Sequence, residues 1–197
     1  MLKRSFDITA SIIGLILLSP IFIIISILIK SDSEGPIIFR QERIGLKGVP
    51  FRIHKFRTMR VDAEAGGRLS IGKDSRITKI GYYLRAYKLD ELIQLLDVLK
   101  GTMSLVGPRP EVEEFIEQYP REIRRKILSV RPGITDLASI EMVDENKILA
   151  SYDDPKRAYI DEILPIKQKY YIDYVENQSF IGDIKIIVLT IIKIWAR

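Results

Sequence analysis

From Ile8 to Ile29 the chain carries no charged residue. A run of that length, at 1.5 Å per residue, reaches about 33 Å as a straight helix, enough to cross a bilayer core. Ser19 and Pro20 fall near its middle. A proline inside a helix removes one backbone hydrogen bond and clashes with the preceding turn, at ~3 kcal/mol, and Ser19 is placed to satisfy the freed carbonyl. Two half-helices of about 15 Å would each reach only the middle of a ~30 Å hydrocarbon core. A helix, a break and a second helix could then dip into a membrane and return. A kinked helix that spans fits the run nearly as well. Lys3 and Arg4 before it and Lys30 after it give no orientation signal. A cleaved signal peptide fits less well, because the run is too long and no small-residue cleavage site follows.

At Pro36 the pattern changes. The runs IIFRQERI and PFRIHKF read as short strands around a turn from Gly45 to Gly48, which predicts a β-hairpin. Val61 to Asp74 predicts a flexible loop and Ile77 to Tyr87 a helix. Leu92, Leu95, Leu96 and Leu99 repeat at i, i+3, i+4 and i+7, so a further helix runs from about Leu89 to Lys100 and stops at Gly101. Pro110 to Leu128 predicts one or two helices, and Tyr152 to Tyr174, punctuated by Pro155 and Pro165, several short ones. In the last segment Ile184, Ile187, Val188, Ile191, Ile192 and Trp195 form a broad apolar face, with Lys185, Lys193 and Arg197 elsewhere. A buried core helix would explain the apolar residues; the tryptophan and flanking lysines favour an amphipathic helix at a membrane interface. The expected fold is α+β and mainly α-helical: a re-entrant membrane helix-break-helix over 1–30, a domain over 31–179 holding a small β-hairpin and several short amphipathic and interfacial helices, and an interfacial helix over 180–197.

Composition narrows the chemistry. Hydrophobic residues make up 47% of the chain although 29% is charged, so the apolar residues are concentrated, and they lie at the two ends. The absence of cysteine excludes a disulfide framework, a thiolate nucleophile and cysteine metal sites, and a single histidine excludes a multi-histidine metal site. His54, on the second predicted strand, reads as a packing or surface residue. The net charge of +5 points to an anionic partner. Basic residues are spread along the chain and no nucleic-acid module signature is present, so anionic phospholipid or a nucleotide-sugar diphosphate fits better than nucleic acid.

Candidate chemistry centres on KLDELIQLLDVLKGTMSLVGPRP, Lys88 to Pro110. Asp90 and Glu91 fall in the first turn of the predicted helix, and Pro108 and Pro110 stiffen the backbone on both sides of Arg109. Carboxylates facing a preorganised guanidinium suit phosphate chemistry with a divalent cation. Each piece also has a structural explanation: first turns favour acids because of the helix dipole, and an arginine between prolines can be a surface turn. The hairpin adds Arg40, Arg43, Lys55 and Arg57, which could meet lipid phosphate or a nucleotide. Arg131-Pro132-Gly133 is another rigid turn presenting an arginine.

The combination decides the balance. KRxxD at Lys3 to Asp7, the Ser19-Pro20 pair, FRQERIGLKGVPFRIHKFRTM at Phe39 to Met59, LDEL, VLKGxMSLVGPRP, VRPGIT at Val130 to Thr135 and YVENQSFIGDIKI at Tyr174 to Ile186 occur in one order over nearly the whole chain. In that order they resemble the small monotopic phosphoglycosyl transferases, bacterial sugar transferases that begin glycan assembly on a lipid carrier. The sequence departs from the commoner pattern after RPGIT, where Asp136 and Ser139 stand at changed positions and the arginine of a short Gly-Arg-Asn loop has no counterpart. No residue from Asp136 to Asn146 is therefore assigned as a ligand.

The resemblance implies transfer of a phosphosugar from a UDP-sugar to a polyprenol (undecaprenyl) phosphate, with release of UMP, through a covalent aspartyl-phosphosugar. It implies Asp90 as nucleophile, Glu91 as a ligand of Mg2+, and Arg85, Arg109, Arg131 and Lys55 as phosphate contacts. The re-entrant hairpin broken at Ser19 and Pro20 would place the 31–179 catalytic domain on the cytoplasmic face of the bacterial inner membrane. Partners would be the UDP-sugar, the polyprenol phosphate and membrane lipid, with no nucleic acid; a homodimer is compatible with the sequence. A membrane-anchored module that binds without catalysis is the alternative reading.

Overall fold

In the computed structural model, which describes residues 2–61, 74–142 and 145–195, the apolar run forms one uninterrupted helix, α1 (Leu2–Asp32). Helical structure thus passes through the expected break. Pro20 has no N–H to offer the Ile16 carbonyl, and the Ser19 hydroxyl donates to that same carbonyl at 2.8 Å. With the orphaned acceptor satisfied, the helix continues across its proline instead of splitting into two halves.

One face of α1 lies on the rest of the chain along nearly its whole length. Asp7, Ser11, Ile25 and Ile29 are buried. Between them Gly14 comes so close to Leu95 that an added Cβ would meet its Cδ1 at 3.0 Å. Spacings of 4, 3, 11 and 4 residues from Asp7 to Ile29 keep these positions on one helix face. Its near end is polar: Lys3 Nζ donates to Asp183 at 2.7 Å, the Arg4 guanidinium donates to the carbonyls of Val98 and Leu99, and Asp7 accepts from the Ser104 hydroxyl at 2.8 Å. Its far end is apolar and ends in Asp32, which accepts from the Ile80 amide at 2.9 Å. The opposite face leaves Ile13, Ile16, Leu17, Ile23, Ile24 and Ile27 more than half exposed.

The hairpin forms as expected: β1 (Ile38–Ile44) pairs antiparallel with β2 (Pro50–Phe56), with Arg40 opposite His54 and Gln41 opposite Ile53. Its turn needs positive φ at Lys47 and Gly48, 58° and 80°. Helix α2 (Lys79–Ala86) starts on a Thr78 hydroxyl that accepts from Gly81 N–H. Gly81 is required by packing, since a Cβ there would lie 2.0 Å from the Thr58 carbonyl. The Val61 to Asp74 loop lies almost wholly outside the described residues.

The helix predicted from Leu89 begins as a 3-10 turn (Leu89–Gln94) and continues as α3 (Leu95–Lys100), capped by Gly101 at φ 83°. A two-stranded parallel pair follows, β3 (Ser104–Val106) on β4 (Gly133–Thr135), which the hydrophobic pattern did not predict. Short helices α4 (Glu113–Ile116), α5 (Arg121–Ile127), α6 (Leu137–Glu141), α7 (Glu145–Leu149) and α8 (Pro155–Ala158) lead through a π turn (Tyr159–Ile163) into α9 (Leu164–Glu176). The main core joins Ile44 of the hairpin to Phe115, Ile127, Tyr159, Leu164 and Tyr171. The fold is thus mainly helical with a small antiparallel sheet. α10 (Phe180–Trp195) is anchored by buried Asp183 and Ile186, while Ile181 and Ile192 are exposed.

Candidate active site

Lys88 takes a left-handed backbone conformation, φ 56°, and this reversal turns the chain from α2 into the 3-10 segment that carries Asp90 and Glu91. Both carboxylates are buried. The hairpin packs against this turn, so that Lys55 of β2 reaches Glu91 with its Nζ donating to Oε1 at 2.8 Å. From the other side Arg109 closes on the same carboxylate with both Nη atoms, Nη1 donating to Oε2 at 3.1 Å and Nη2 to Oε1. Burial alone would push the Glu91 carboxyl up, but Arg109 and Lys55 hold it well below the usual carboxylate range. Glu91 in turn raises Arg109 well above its ordinary value. Lys55 is lowered, chiefly by burial and against the pull of Glu91.

Asp90 is the contrasting member of the pair. Among the described residues none donates a hydrogen bond to its carboxylate. Burial, reinforced by the Glu91 charge, pushes its pKa up to about 6, and the cations Lys55, Arg85 and Lys88 oppose the shift. Arg85 stands nearby on α2, its Nε donating to the Thr58 hydroxyl at 2.9 Å. The site therefore holds one clamped carboxylate, one carboxylate with open acceptor positions, and four cations around them, an arrangement suited to an anionic ligand.

The arginine loop is held by contacts that span the chain. Gly133 N–H donates to the Pro108 carbonyl at 3.0 Å, Gly107 N–H to that of Thr135 at 3.1 Å, and Arg43 Nη1 to that of Pro110 at 3.1 Å. Gly107 and Gly133 must lack side chains, because a Cβ on either would lie within 2.5 Å of the other segment's backbone. This is why SLVGPRP and VRPGIT belong together: the parallel pair β3–β4 packs one motif on the other.

Of the residues expected at the site, the structure brings Asp90, Glu91, Arg85, Arg109 and Lys55 together. Arg131 goes elsewhere, its Nε donating to the Gly101 carbonyl at 2.8 Å at the far end of α3. Arg57, read as a cation for phosphate, instead ties α1 to the hairpin, donating to Ser33, Glu34 and Pro36 carbonyls. His54 is a packing residue as expected: its Nδ1 lies 2.6 Å from Asp97 Oδ1 and its backbone N–H donates to Oδ2 at 2.9 Å, pinning β2 to α3 beside Lys55. Sequence reasoning missed Glu111. It is buried directly after the arginine loop, accepts from the Tyr159 hydroxyl at 2.8 Å and faces Lys167 at 3.7 Å and Arg43 at 3.8 Å. The Glu after the second proline was the only signal available. Asp136 and Ser139, where the sequence departs from the commoner pattern, form a helix cap: the Asp136 carboxylate accepts from the Ser139 amide at 2.9 Å and hydroxyl at 2.6 Å.

Two buried carboxylates beside a cluster of cations fit a hard divalent cation, which takes one or two carboxylates and completes its shell with substrate phosphate. Asp90 has the open oxygens for this, and Glu91 retains lone-pair sites beyond its three contacts.

These features describe a mainly helical domain with one long apolar N-terminal helix and a cluster of cations around two buried carboxylates, and comparison with known proteins gives the family. The bacterial sugar transferase model matches residues 1–197, and the chain belongs to that family. It is 37% identical over 193 residues to a UDP-N-acetylgalactosamine-undecaprenyl-phosphate N-acetylgalactosaminephosphotransferase of Aeromonas hydrophila, covering 96% of this chain and 43% of that protein. It is 39% identical over 196 residues to a UDP-glucose:undecaprenyl-phosphate glucose-1-phosphate transferase of Klebsiella pneumoniae, covering 97% of this chain and 39% of that protein. The chain thus spans about two fifths of the length of these relatives.

Proposed function

We propose that this chain transfers a phosphosugar from a UDP-sugar to a polyprenol phosphate at a membrane surface, through a covalent intermediate on Asp90. The observation that carries the reading is the contrast between the neighbours Asp90 and Glu91: one buried carboxylate that no described residue donates a hydrogen bond to, the other clamped by Lys55 and Arg109. The names of the relatives support the same donor and acceptor classes.

The Asp90 carboxylate attacks the phosphorus that bears the sugar. The phosphoanhydride bond to the other phosphorus breaks, and UMP leaves with that bonding pair. Arg109, Lys55 and Arg85 lie where the charge on the phosphoryl oxygens has to be balanced. A phosphate oxygen of the polyprenol phosphate then attacks the same phosphorus, breaks the acyl phosphate bond, and returns Asp90 as a free carboxylate. Asp90 and Glu91 would hold Mg2+, which when bound neutralises diphosphate charge and polarises the phosphoryl group. Mixing the protein with labelled UDP-sugar and no acceptor should load sugar phosphate onto the protein and release one UMP per site. UMP release that proceeds continuously without acceptor, or label never trapped on the protein, would overturn the covalent route.

α1 supports a membrane placement. It is the one helix among the described residues long and apolar enough to cross a membrane. One stripe of it lies on the domain from Lys3 to Asp32, and its bare face is aliphatic. A helix tied at both ends to the same polar body supports entry and exit on one face, which for a UDP-sugar enzyme is the cytoplasmic one. A cysteine replacing Leu2 would be the protein's only thiol. A membrane-impermeant thiol reagent should miss it in intact cells and label it after permeabilisation; labelling of intact cells would establish a spanning helix instead.

A further inference from the structure

A cleft of about 250 Å³ opens from the catalytic turn and runs between α3, the β3–β4 pair and α10. Its walls are almost wholly apolar, formed by Leu92, Leu95, Ile134, Ile187, Ile191 and Ile194. Lys88, Glu91 and Arg109, from the catalytic turn and the arginine loop, and Lys193 of α10 complete the lining. The hydroxyls along it are already engaged. Thr135 and Thr190 share a hydrogen bond at 2.6 Å, Thr190 also donates to the Ile186 carbonyl, and Ser139 donates to Asp136. Such walls have nothing to offer a nucleobase or the hydroxyls of a sugar, whose polar groups would lose water without replacement. They suit hydrocarbon. The side of the cleft built by α10 passes directly into that helix's exposed apolar surface, where Ile191 and Ile192 are about half exposed.

We propose that this cleft holds the first isoprene units of the lipid acceptor, with its phosphate at the Lys88–Arg109 end beside Asp90. The inference rests on the acceptor class proposed above and adds where that acceptor lies. A chain with a phosphate head and an apolar body matches both ends of the cleft, and it reaches the cleft from the membrane along α10 without leaving an apolar surface. The lipid phosphate must attack opposite the Asp90 oxygen, at the position UMP has left, so donor and acceptor phosphates use that position in turn while the isoprene units lie in the cleft. In this arrangement α10 is part of the acceptor site as well as a membrane contact.

The test separates loading from transfer. Ile187→Trp fills the cleft, and Ile191→Trp narrows its mouth more mildly. Val188→Trp places the same ring on the outer face of the same helix. The two cleft variants should load sugar phosphate from UDP-sugar at the parent rate while the KM for polyprenol phosphate rises about tenfold or more, the scale of losing a few methylene contacts in an apolar pocket. Val188→Trp should leave both unchanged. A polyprenyl phosphate carrying a diazirine on its first isoprene units, irradiated with the parent protein, should crosslink to α10 or to the Leu92–Leu95 segment. Unchanged acceptor KM in cleft variants that load normally, equal effects from Val188→Trp, or crosslinks confined to the exposed face of α1 would overturn the proposal. The crosslink reads the cleft even if a cleft variant fails to fold. Failure of the parent to load from any UDP-sugar would refute the transfer chemistry instead, and crosslinking would still report on the cleft.

Discussion

Asp90→Asn is expected to abolish both UMP release and trapping of labelled sugar phosphate, by at least about 10³-fold, and at the same time to raise the stability of the folded protein at neutral pH. The loss follows from the nucleophile, since an amide cannot form the acyl phosphate. The gain follows from burial. Burial and the Glu91 charge raise the Asp90 carboxyl from 3.8 to about 6 in the folded state. An acid with a raised folded pKa binds its proton more tightly folded than unfolded, so its contribution is lost as pH climbs from near 4 through 6. At pH 7 the ionised group therefore costs stability, on the order of a few kcal/mol. Asn carries no such burden. Thermal unfolding in detergent should therefore show the variant ahead by about 5 °C or more at pH 7, with the difference closing near pH 4. Loading by UDP-sugar should also fall as pH drops through the range in which Asp90 takes up its proton, because only the carboxylate attacks. Near-normal UMP release by Asp90→Asn would remove Asp90 from the chemistry.

What the sequence made legible is what short-range rules control. The hairpin was readable because two β-prone runs flank a glycine turn, and Gly101 because a helix ending in a left-handed residue favours glycine. Ser19 was readable as the partner of the carbonyl that Pro20 frees, although the helix it preserves is continuous. The rest depends on contacts far apart in the chain. Strands of three residues such as β3 and β4 are too short to show a period, and only their pairing sets the arginine loop against Thr135. Charge alone could not distinguish Lys55, which reaches Glu91 across 36 positions, from Arg57, which ties α1 to the hairpin. The stripe on α1 was hidden because Asp7, Ser11 and Gly14 interrupt hydrophobicity where the helix meets the domain, and such residues read as background in an apolar run.

Arg109→Lys should lower kcat/KM for the UDP-sugar by about 10²-fold although the net charge is unchanged. Arg109 binds Glu91 through both Nη atoms, one bond to each carboxylate oxygen, while Lys55 already occupies Oε1. A lysine offers a single ammonium on a flexible stem. It can replace one of those bonds but cannot hold the Glu91 plane and a phosphoryl oxygen together, and it leaves a buried acceptor poorly matched. The loop itself should stay in place, because its backbone is held by Gly133 on Pro108 and Arg43 on Pro110, neither of which involves the Arg109 side chain. Unfolding midpoints should therefore shift far less than activity does. Arg131→Lys provides the contrast. Its guanidinium donates to the Gly101 carbonyl at the opposite end of α3, so the same chemical change there should leave loading within about twofold of the parent. Parent-like kinetics for Arg109→Lys would make the proline-flanked loop a structural turn. A large loading defect in Arg131→Lys would place Arg131 in the phosphate site and require a rearrangement of β4 that brings it to Asp90.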